Sequence, residues 1–126
     1  MSRRRAALSR FVRVAAWLSV GALVWLSWIP RDWEARTPLP GQAEHAIAYA
    51  GTAGLFVLGY GAALRWWRIG LPLIALGAVL EIGQLWVPGR TAQVVDFVAS
   101  GSGALLGALG GTIVARRLSK AAPPAR

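Results

Sequence analysis

The sequence predicts an all-α integral membrane protein, a bundle of four transmembrane helices with both termini in the cytoplasm. The first observation behind this prediction is composition, because 56% of the 126 residues are apolar, more than a soluble domain of this length can bury. The second is a set of four continuous apolar stretches, each about as long as a bilayer crossing of roughly 20 residues. The third is a net charge of +9, carried mainly by arginines at the ends of those stretches.

The boundaries of the four helices follow from the polar and proline-containing segments between the apolar runs. Pro30 follows the first run and Pro88 follows the third, and proline is a strong helix terminator. Continuous apolar runs, rather than alternation with period two, favour helices over a membrane β-barrel. The predicted helices span residues 11–29, 45–64, 69–87 and 94–115.

All four helices are assigned to a single domain at residues 1–118, because no link between them is long enough to fold separately. Residues 119–126 contain two prolines and are expected to form a short disordered basic tail. The first apolar run could alternatively be a cleaved signal peptide. An uncleaved anchor helix is favoured, because the run is long, contains three tryptophans and lacks a clear small-x-small cleavage site.

The basic residues predict which side of the membrane each link faces. Eleven of the fourteen lysines and arginines lie before or in the first turn of the first helix, between the second and third, or after the fourth. These segments share one side if the helices alternate in direction, and the positive-inside rule places that side in the cytoplasm. All five acidic residues lie on or toward the opposite, outer side.

Composition also limits the chemistry. The absence of cysteine excludes a disulfide scaffold, a Cys-ligated zinc site and a thiol nucleophile, and a single histidine argues against a multi-His metal site. No cofactor and no metal are therefore predicted. Topology and contact with anionic lipid headgroups explain the basic residues, so membrane lipids are the expected partners and nucleic acid is not.

Glu81 is the residue of the apolar runs that most needs a chemical explanation. It lies about six residues inside the third helix, roughly 9 Å below the outer end at a rise of about 1.5 Å per residue. A charge at that depth costs a few kcal/mol unless it is paired, protonated or facing water. Gln84 follows three residues later and therefore shares a face of the helix with Glu81.

The alternating topology brings other polar residues to the depth of Glu81, in the outer half of the bundle. His45 and Tyr49 lie at the start of the second helix. Arg90 lies in the turn before the fourth helix, and Asp96 lies near the start of that helix. An imidazole and two carboxylates in a low dielectric make His45, Glu81 and Asp96 candidates for general acid–base chemistry. Alternatively, these residues form a structural network in which Arg90 neutralises Glu81 or Asp96.

Four sequence motifs occur in order between residues 39 and 111. They read HAIAY from His45, EIGQ from Glu81, PGRT from Pro88, and an aspartate, Asp96, that leads into a glycine-lined helix. In this order they resemble the VanZ-like family of small bacterial membrane proteins, which has His-x-x-x-Tyr, Glu-x-x-Gln and Pro-x-Arg-x elements. Ser100 stands where the family commonly has Asn, and it keeps a hydrogen-bonding group.

The resemblance implies a multi-pass protein of the bacterial cytoplasmic (inner) membrane, linked to the cell envelope and to resistance to glycopeptide antibiotics of the teicoplanin type. The first functional hypothesis is that the polar outer-leaflet site binds or modifies a lipid-linked or amphiphilic molecule, with Arg90 holding an anionic group. Whether a reaction is catalysed stays open, and the alternative is a non-catalytic membrane scaffold. The expected binding residues are Tyr49, Gln84, Arg90 and Ser100.

A stripe of glycines lies in the fourth predicted helix. Gly103, Gly107 and Gly111 recur every fourth residue, which places them on one face and permits close approach of another helix. The stripe could serve self-association with a second copy. It could also serve packing within the same bundle, which is the favoured interpretation.

Overall fold

The structure of the chain is a computed structural model that describes residues 3–35, 37–61 and 64–121. These residues form helices, turns and irregular links, and within the same ranges there is no strand. Short 3-10 turns occur at Arg31–Trp33 and Gln84–Trp86. The α-helices, numbered in chain order, are α1 (Arg3–Trp28), α2 (Gly41–Tyr60), α3 (Trp66–Gly83) and α4 (Val94–Ala121).

Each predicted helix is present, but the two terminal helices are longer than expected. α1 begins at Arg3 rather than at residue 11, because arginine and alanine are good helix formers and continue the helix through the basic segment. α4 continues to Ala121. Residues 119–121 of the expected disordered tail are therefore helical, and the rest of that tail, residues 122–126, lies outside the described residues.

The two central helices are shifted toward the N-terminus relative to the predictions. α2 begins directly after Pro40, four residues earlier than expected. It ends at Tyr60, because Gly61 adopts a φ of 85° that does not continue a right-handed helix. α3 ends at Gly83 and passes into a 3-10 turn, so the polar residue Gln84 lies at its C-terminal cap.

Three of the helices, namely α1, α4 and α3 with its 3-10 extension, are long and apolar enough to cross a membrane. This agrees with the expected class of integral membrane protein. Large apolar side chains are also exposed around the bundle, including Phe11 at 71% and Leu106 at 70%. Such a surface suits lipid and is more apolar than that of a typical soluble monomer.

Helices that follow one another along the chain run in opposite directions. α1 runs antiparallel to α2, because Arg13 near the start of α1 contacts Gly59 near the end of α2. α3 runs antiparallel to α4, and Gly70 lies against Ala108 there. α2 packs most extensively against α4 and also against α1. It therefore lies between α1 and α4.

The parallel pair α2 and α4 approaches closely through the glycine stripe. A Cβ atom at Gly103 would overlap the carbonyl group of Ala46, and one at Gly107 would overlap that of Ala50. Gly111 packs against Val57. The stripe thus faces α2 of the same chain, so a second copy would need another face of α4 or would have to displace α2.

The alternation separates the charged residues into two ends. The acidic end is where α1 and α3 finish and α2 and α4 begin, and it holds all five acidic residues together with Arg31 and Arg90. The basic end is the opposite end, where α1 and α3 begin. Its described basic residues are Arg3, Arg4, Arg5, Arg10, Arg13, Arg65, Arg68, Arg116, Arg117 and Lys120.

Candidate functional site

His45 joins α2 to α4 at the acidic end. Its Nε2 atom lies 3.8 Å from Oδ2 of Asp96, and its Nδ1 atom lies 3.4 Å from Oγ of Ser100. Asp96 and Ser100 are four residues apart and therefore share one face of α4. The imidazole ring spans both, so each of its nitrogens has a polar neighbour.

Tyr49 and Ser100 continue this polar group into the interior. Tyr49 is 2% exposed and Ser100 is 3% exposed, and the Tyr49 hydroxyl interacts with Ser100 and with the charge of Glu81. Gly77 of α3 lies against both residues, since a Cβ atom there would be in ordinary van der Waals contact, 3.5 Å from the Tyr49 hydroxyl and 3.4 Å from Cβ of Ser100. Three helices therefore converge on these two hydroxyls.

Glu81 fixes the start of α4. Its Oε1 atom accepts a hydrogen bond from the backbone N–H of Gln93 at 2.5 Å. The carbonyl of Gln93 in turn accepts hydrogen bonds from the backbone N–H groups of Asp96 and Phe97, at 3.0 Å and 3.3 Å. The carboxylate thus sits at the N-terminus of α4, where the helix dipole favours a negative charge.

Arg90 holds the end of α1. Its guanidinium donates to the backbone carbonyls of Leu26 and Ile29, at 2.7 Å and 3.3 Å, and to Oε1 of Glu34 at 3.1 Å. The last carbonyls of a helix have no partner within the helix, and basic side chains commonly supply one. The alternative interpretation pairs Arg90 with Glu81 or Asp96. That pairing is wrong, because the carboxylate that pairs with Arg90 belongs to the loop residue Glu34.

An amphiphilic cavity of about 360 Å³ opens between α1 and α2 at the acidic end. One part of its wall is apolar and includes Leu23, Leu26 and Leu39. The other part is polar and is formed by these residues: Glu34, Thr37, Glu44, His45, Tyr49, Gln84 and Arg90.

A polar cavity of about 260 Å³ adjoins the amphiphilic cavity and extends toward α4. The two share His45 and Gln84 in their walls, and the polar cavity reaches Asp96. Gln42 closes one side, since its Nε2 atom donates to Oδ1 of Asp96 at 3.3 Å. The His45–Asp96 pair therefore lines a continuous polar surface that begins beside apolar walls.

The structure brings all seven candidate residues to one end, but it gives them different surroundings. His45, Asp96, Ser100 and Tyr49 are connected side chain to side chain. Glu81 and Arg90 instead bind backbone groups. Gln84 is 3% exposed and lies in the wall of both cavities.

Sequence reasoning missed several residues of this end. Glu34, Gln42 and Glu44 line its cavities, and Thr37 donates a short hydrogen bond to Glu44. A charged residue in a loop can be stable in contact with water and does not interrupt an apolar run. A hydropathy pattern therefore does not mark it as a candidate site residue. A search for acidic residues beside predicted helix ends would have found the two glutamates.

The chemical groups at this end support proton exchange and hydrogen bonding. His45 and Asp96 are partly accessible, with side-chain exposures of 25% and 15%. Within the described ranges, no group of three or more His, Cys, Asp or Glu residues is placed to hold a metal ion. Comparisons of the chain with protein-family models, with curated proteins and with solved structures find no match.

Proposed function

We propose that the chain is a VanZ-like protein of the bacterial cytoplasmic (inner) membrane, with four transmembrane helices and both termini in the cytoplasm. In this arrangement the acidic end lies at the outer leaflet. The amphiphilic cavity there binds an amphiphilic or lipid-linked molecule of the cell envelope. The four motifs that carry the family resemblance support the proposal, since their residues meet at this end.

The position of α2 between α1 and α4 supports its role as the fourth span. Its polar residues lower its apolar character, but two of them are buried inside the bundle. Tyr49 and Thr52 are each 2% exposed, and the Thr52 hydroxyl donates to the carbonyl of Ala48 at 2.8 Å. A helix whose polar groups are satisfied inside a bundle is compatible with a membrane-spanning position.

The amphiphilic cavity is the observation that carries the binding function. Apolar walls formed by Leu23 and Leu39 suit an alkyl segment, while His45 and Glu44 offer polar contacts to a headgroup. Ligand sites typically combine a mainly apolar surface with a few fixed polar groups. A ligand spanning the membrane interface needs the same combination, which is why an amphiphile fits this cavity.

The His45–Asp96 pair would handle a proton at this site. Asp96 lies beside one ring nitrogen of His45, and Ser100 orients the other nitrogen. Oriented histidines of this kind serve as general acids or bases when a substrate group comes within hydrogen-bond reach. In a purely binding protein the same pair would hydrogen-bond a headgroup.

A non-catalytic scaffold is the second candidate function, and a specific observation favours it. Glu81 and Arg90, two of the most distinctive polar residues, are both engaged with the backbone. Arg90 therefore offers few free donors to the anionic group that the binding hypothesis assigns to it. In this alternative the polar network holds helix ends together and a partner protein would bring the activity.

The proposal is tested by the amount of fluorescent teicoplanin-type antibiotic that binds to the surface of cells producing the protein. Cells with the wild type, His45→Asn and Asp32→Asn are compared at matched membrane levels. Asp32 is the control, because it is an exposed carboxylate at the same end that lines neither cavity.

We expect the wild type and Asp32→Asn to lower antibiotic binding and His45→Asn to lose that effect. Equal activity of His45→Asn and the wild type would favour the scaffold. A wild type that leaves antibiotic binding unchanged would contradict the proposed envelope role.

A further inference from the structure

A separate cavity of about 440 Å³ lies near the basic end, between α1, α2 and α3. α1 and α3 meet toward the acidic end, where Nε1 of Trp28 donates to the carbonyl of Leu80 at 3.3 Å. Toward the basic end this cavity separates them. Its wall is almost wholly apolar and includes Trp17, Phe56, Leu73 and Leu76, and one charged residue, Arg68, also lines it.

Contacts among aromatic side chains hold one wall of this cavity open. The rings of Trp17 and Phe56 meet edge to face, with centroids 5.2 Å apart. Phe56 stacks on Tyr60 at 6.0 Å, and Nε1 of Trp17 donates to the Tyr60 hydroxyl at 3.0 Å. Both polar atoms of this wall are thereby paired, which leaves an apolar surface of fixed shape.

The rim of the cavity carries positive charge. Arg68 contributes one guanidinium. Arg13 is not part of the lining, but it lies over the Tyr60 ring of the aromatic wall, where its Nε atom donates to the carbonyl of Gly59 at 2.7 Å and its guanidinium lies 4.7 Å from the ring centroid. All five acidic side chains of the sequence lie at the opposite end. No carboxylate side chain therefore neutralises this rim.

We propose that this cavity binds an anionic phospholipid, with one acyl chain in the cavity and the phosphate at Arg68. Guanidinium groups pair strongly with phosphate oxygens, and basic pockets between transmembrane helices are suited to anionic headgroups. The apolar interior accepts the chain at the same time. The binding depends on the basic end alone and is independent of the function proposed for the acidic end.

Charge also argues against the other possible occupants. The C-terminal segment of this chain carries Lys120 and Arg126 and no acidic side chain, so the positive rim repels it. A second copy in the same orientation presents the same basic residues. An anionic lipid is the occupant whose charge complements the rim and whose chain matches the apolar wall.

Trp17 lines the cavity, so its fluorescence reports whether a lipid acyl chain lies there. The full-length protein is reconstituted in phosphatidylcholine vesicles that contain a small, equal fraction of either phosphatidylglycerol or phosphatidylcholine with brominated acyl chains. Bromine quenches tryptophan fluorescence on contact. The quenching lost in Trp17→Phe is the part that arises at Trp17, and Phe keeps an aromatic ring in the wall. Because Trp17 is 59% exposed, the difference between the two brominated lipids, rather than the total quenching, reports binding in the cavity.

The charge requirement is tested with Arg68→Gln, Arg68→Lys and the control Arg117→Gln. Arg117 is an exposed arginine of α4 at the same end and lines none of the cavities described above. One basic residue near an anionic membrane surface contributes a factor of about five in binding. In the wild type we expect brominated phosphatidylglycerol to quench Trp17 more than brominated phosphatidylcholine does. This preference should fall about fivefold in Arg68→Gln and should be unchanged in Arg68→Lys and Arg117→Gln.

Equal quenching of Trp17 by the two brominated lipids would overturn the proposal, as would an unchanged preference in Arg68→Gln. Absence of Trp17 quenching by either lipid would also overturn it, because another occupant would then fill the cavity. Competition gives a second test on the wild type alone. Unbrominated phosphatidylglycerol should relieve the quenching, and unbrominated phosphatidylcholine should not.

Discussion

The carboxylate of Glu81 and the backbone N–H of Gln93 form a hydrogen bond of 2.5 Å. This bond links the end of α3 to the residue that directly precedes α4. Glu81 is 9% exposed, and its charge lies at the N-terminus of a helix. The local dipole and the hydrogen bond both stabilise a carboxylate there. This relationship explains how an acidic residue is tolerated inside an otherwise apolar helix.

Replacement of Glu81 should therefore destabilise the fold. Glu81→Ala removes the charged acceptor of the Gln93 N–H, and hydrogen bonds to charged groups contribute about 1.5–3 kcal/mol. We expect a lower melting temperature in detergent, measured by circular dichroism, while Asp32→Ala melts like the wild type. A wild-type melting temperature for Glu81→Ala would show that the hydrogen bond contributes little to stability.

Arg90 and Glu34 should behave as a coupled pair. Arg90→Ala removes three hydrogen bonds at the end of α1, and hydrogen bonds to charged groups contribute about 1.5–3 kcal/mol each. Glu34→Ala removes only one of them. A double-mutant cycle on thermal stability should give a non-additive result, and strictly additive losses would argue that the ion pair is screened by solvent.

The effect of replacing a glycine of α4 by alanine should depend on the space around that glycine. Gly107→Ala forces a Cβ atom into the backbone of Ala50, whereas Gly110→Ala meets nothing within 4 Å. Overpacking of this kind costs about 1–3 kcal/mol. We expect Gly107→Ala to reduce the amount of folded protein, measured by size-exclusion chromatography in detergent, and Gly110→Ala to keep it. Equal yields of the two variants would contradict close α2–α4 packing.

The proposed topology can be tested with single cysteines, because the sequence has none. Thr37→Cys marks the acidic end, and Ser119→Cys marks the basic end. A membrane-impermeant thiol reagent applied to intact spheroplasts should label only Thr37→Cys, and lysis should expose both positions. Labelling of Ser119→Cys before lysis would reverse the assigned orientation.

Much of the architecture was predictable from the sequence. Hydropathy located all four helices, and the positions of the arginines separated a basic end from an acidic end. Helix alternation then brought His45, Glu81 and Asp96 to one end. These properties depend on local composition and on the length of each run, so they can be read along the chain without knowing how the helices face one another.

Partnerships within the site were predicted less well. Arg90 pairs with Glu34 rather than with Glu81 or Asp96, and Glu81 binds a backbone N–H rather than a side chain. The contact between Ser100 and His45 also requires a particular rotation of α4 against α2. Hydropathy contains no information on such rotations or on the path of a polar loop.

The sequence by itself determined the membrane class, the number of helices and the end at which each charge lies, because burial in lipid selects long apolar runs and excludes unpaired charges from them. Only the tertiary structure decided which helix packs against the glycine stripe of α4, which groups form hydrogen bonds with Glu81 and Arg90, and where cavities separate the helices. Those outcomes depend on the approach distance and rotation of packed helices, which side-chain shape sets only when all four helices are together.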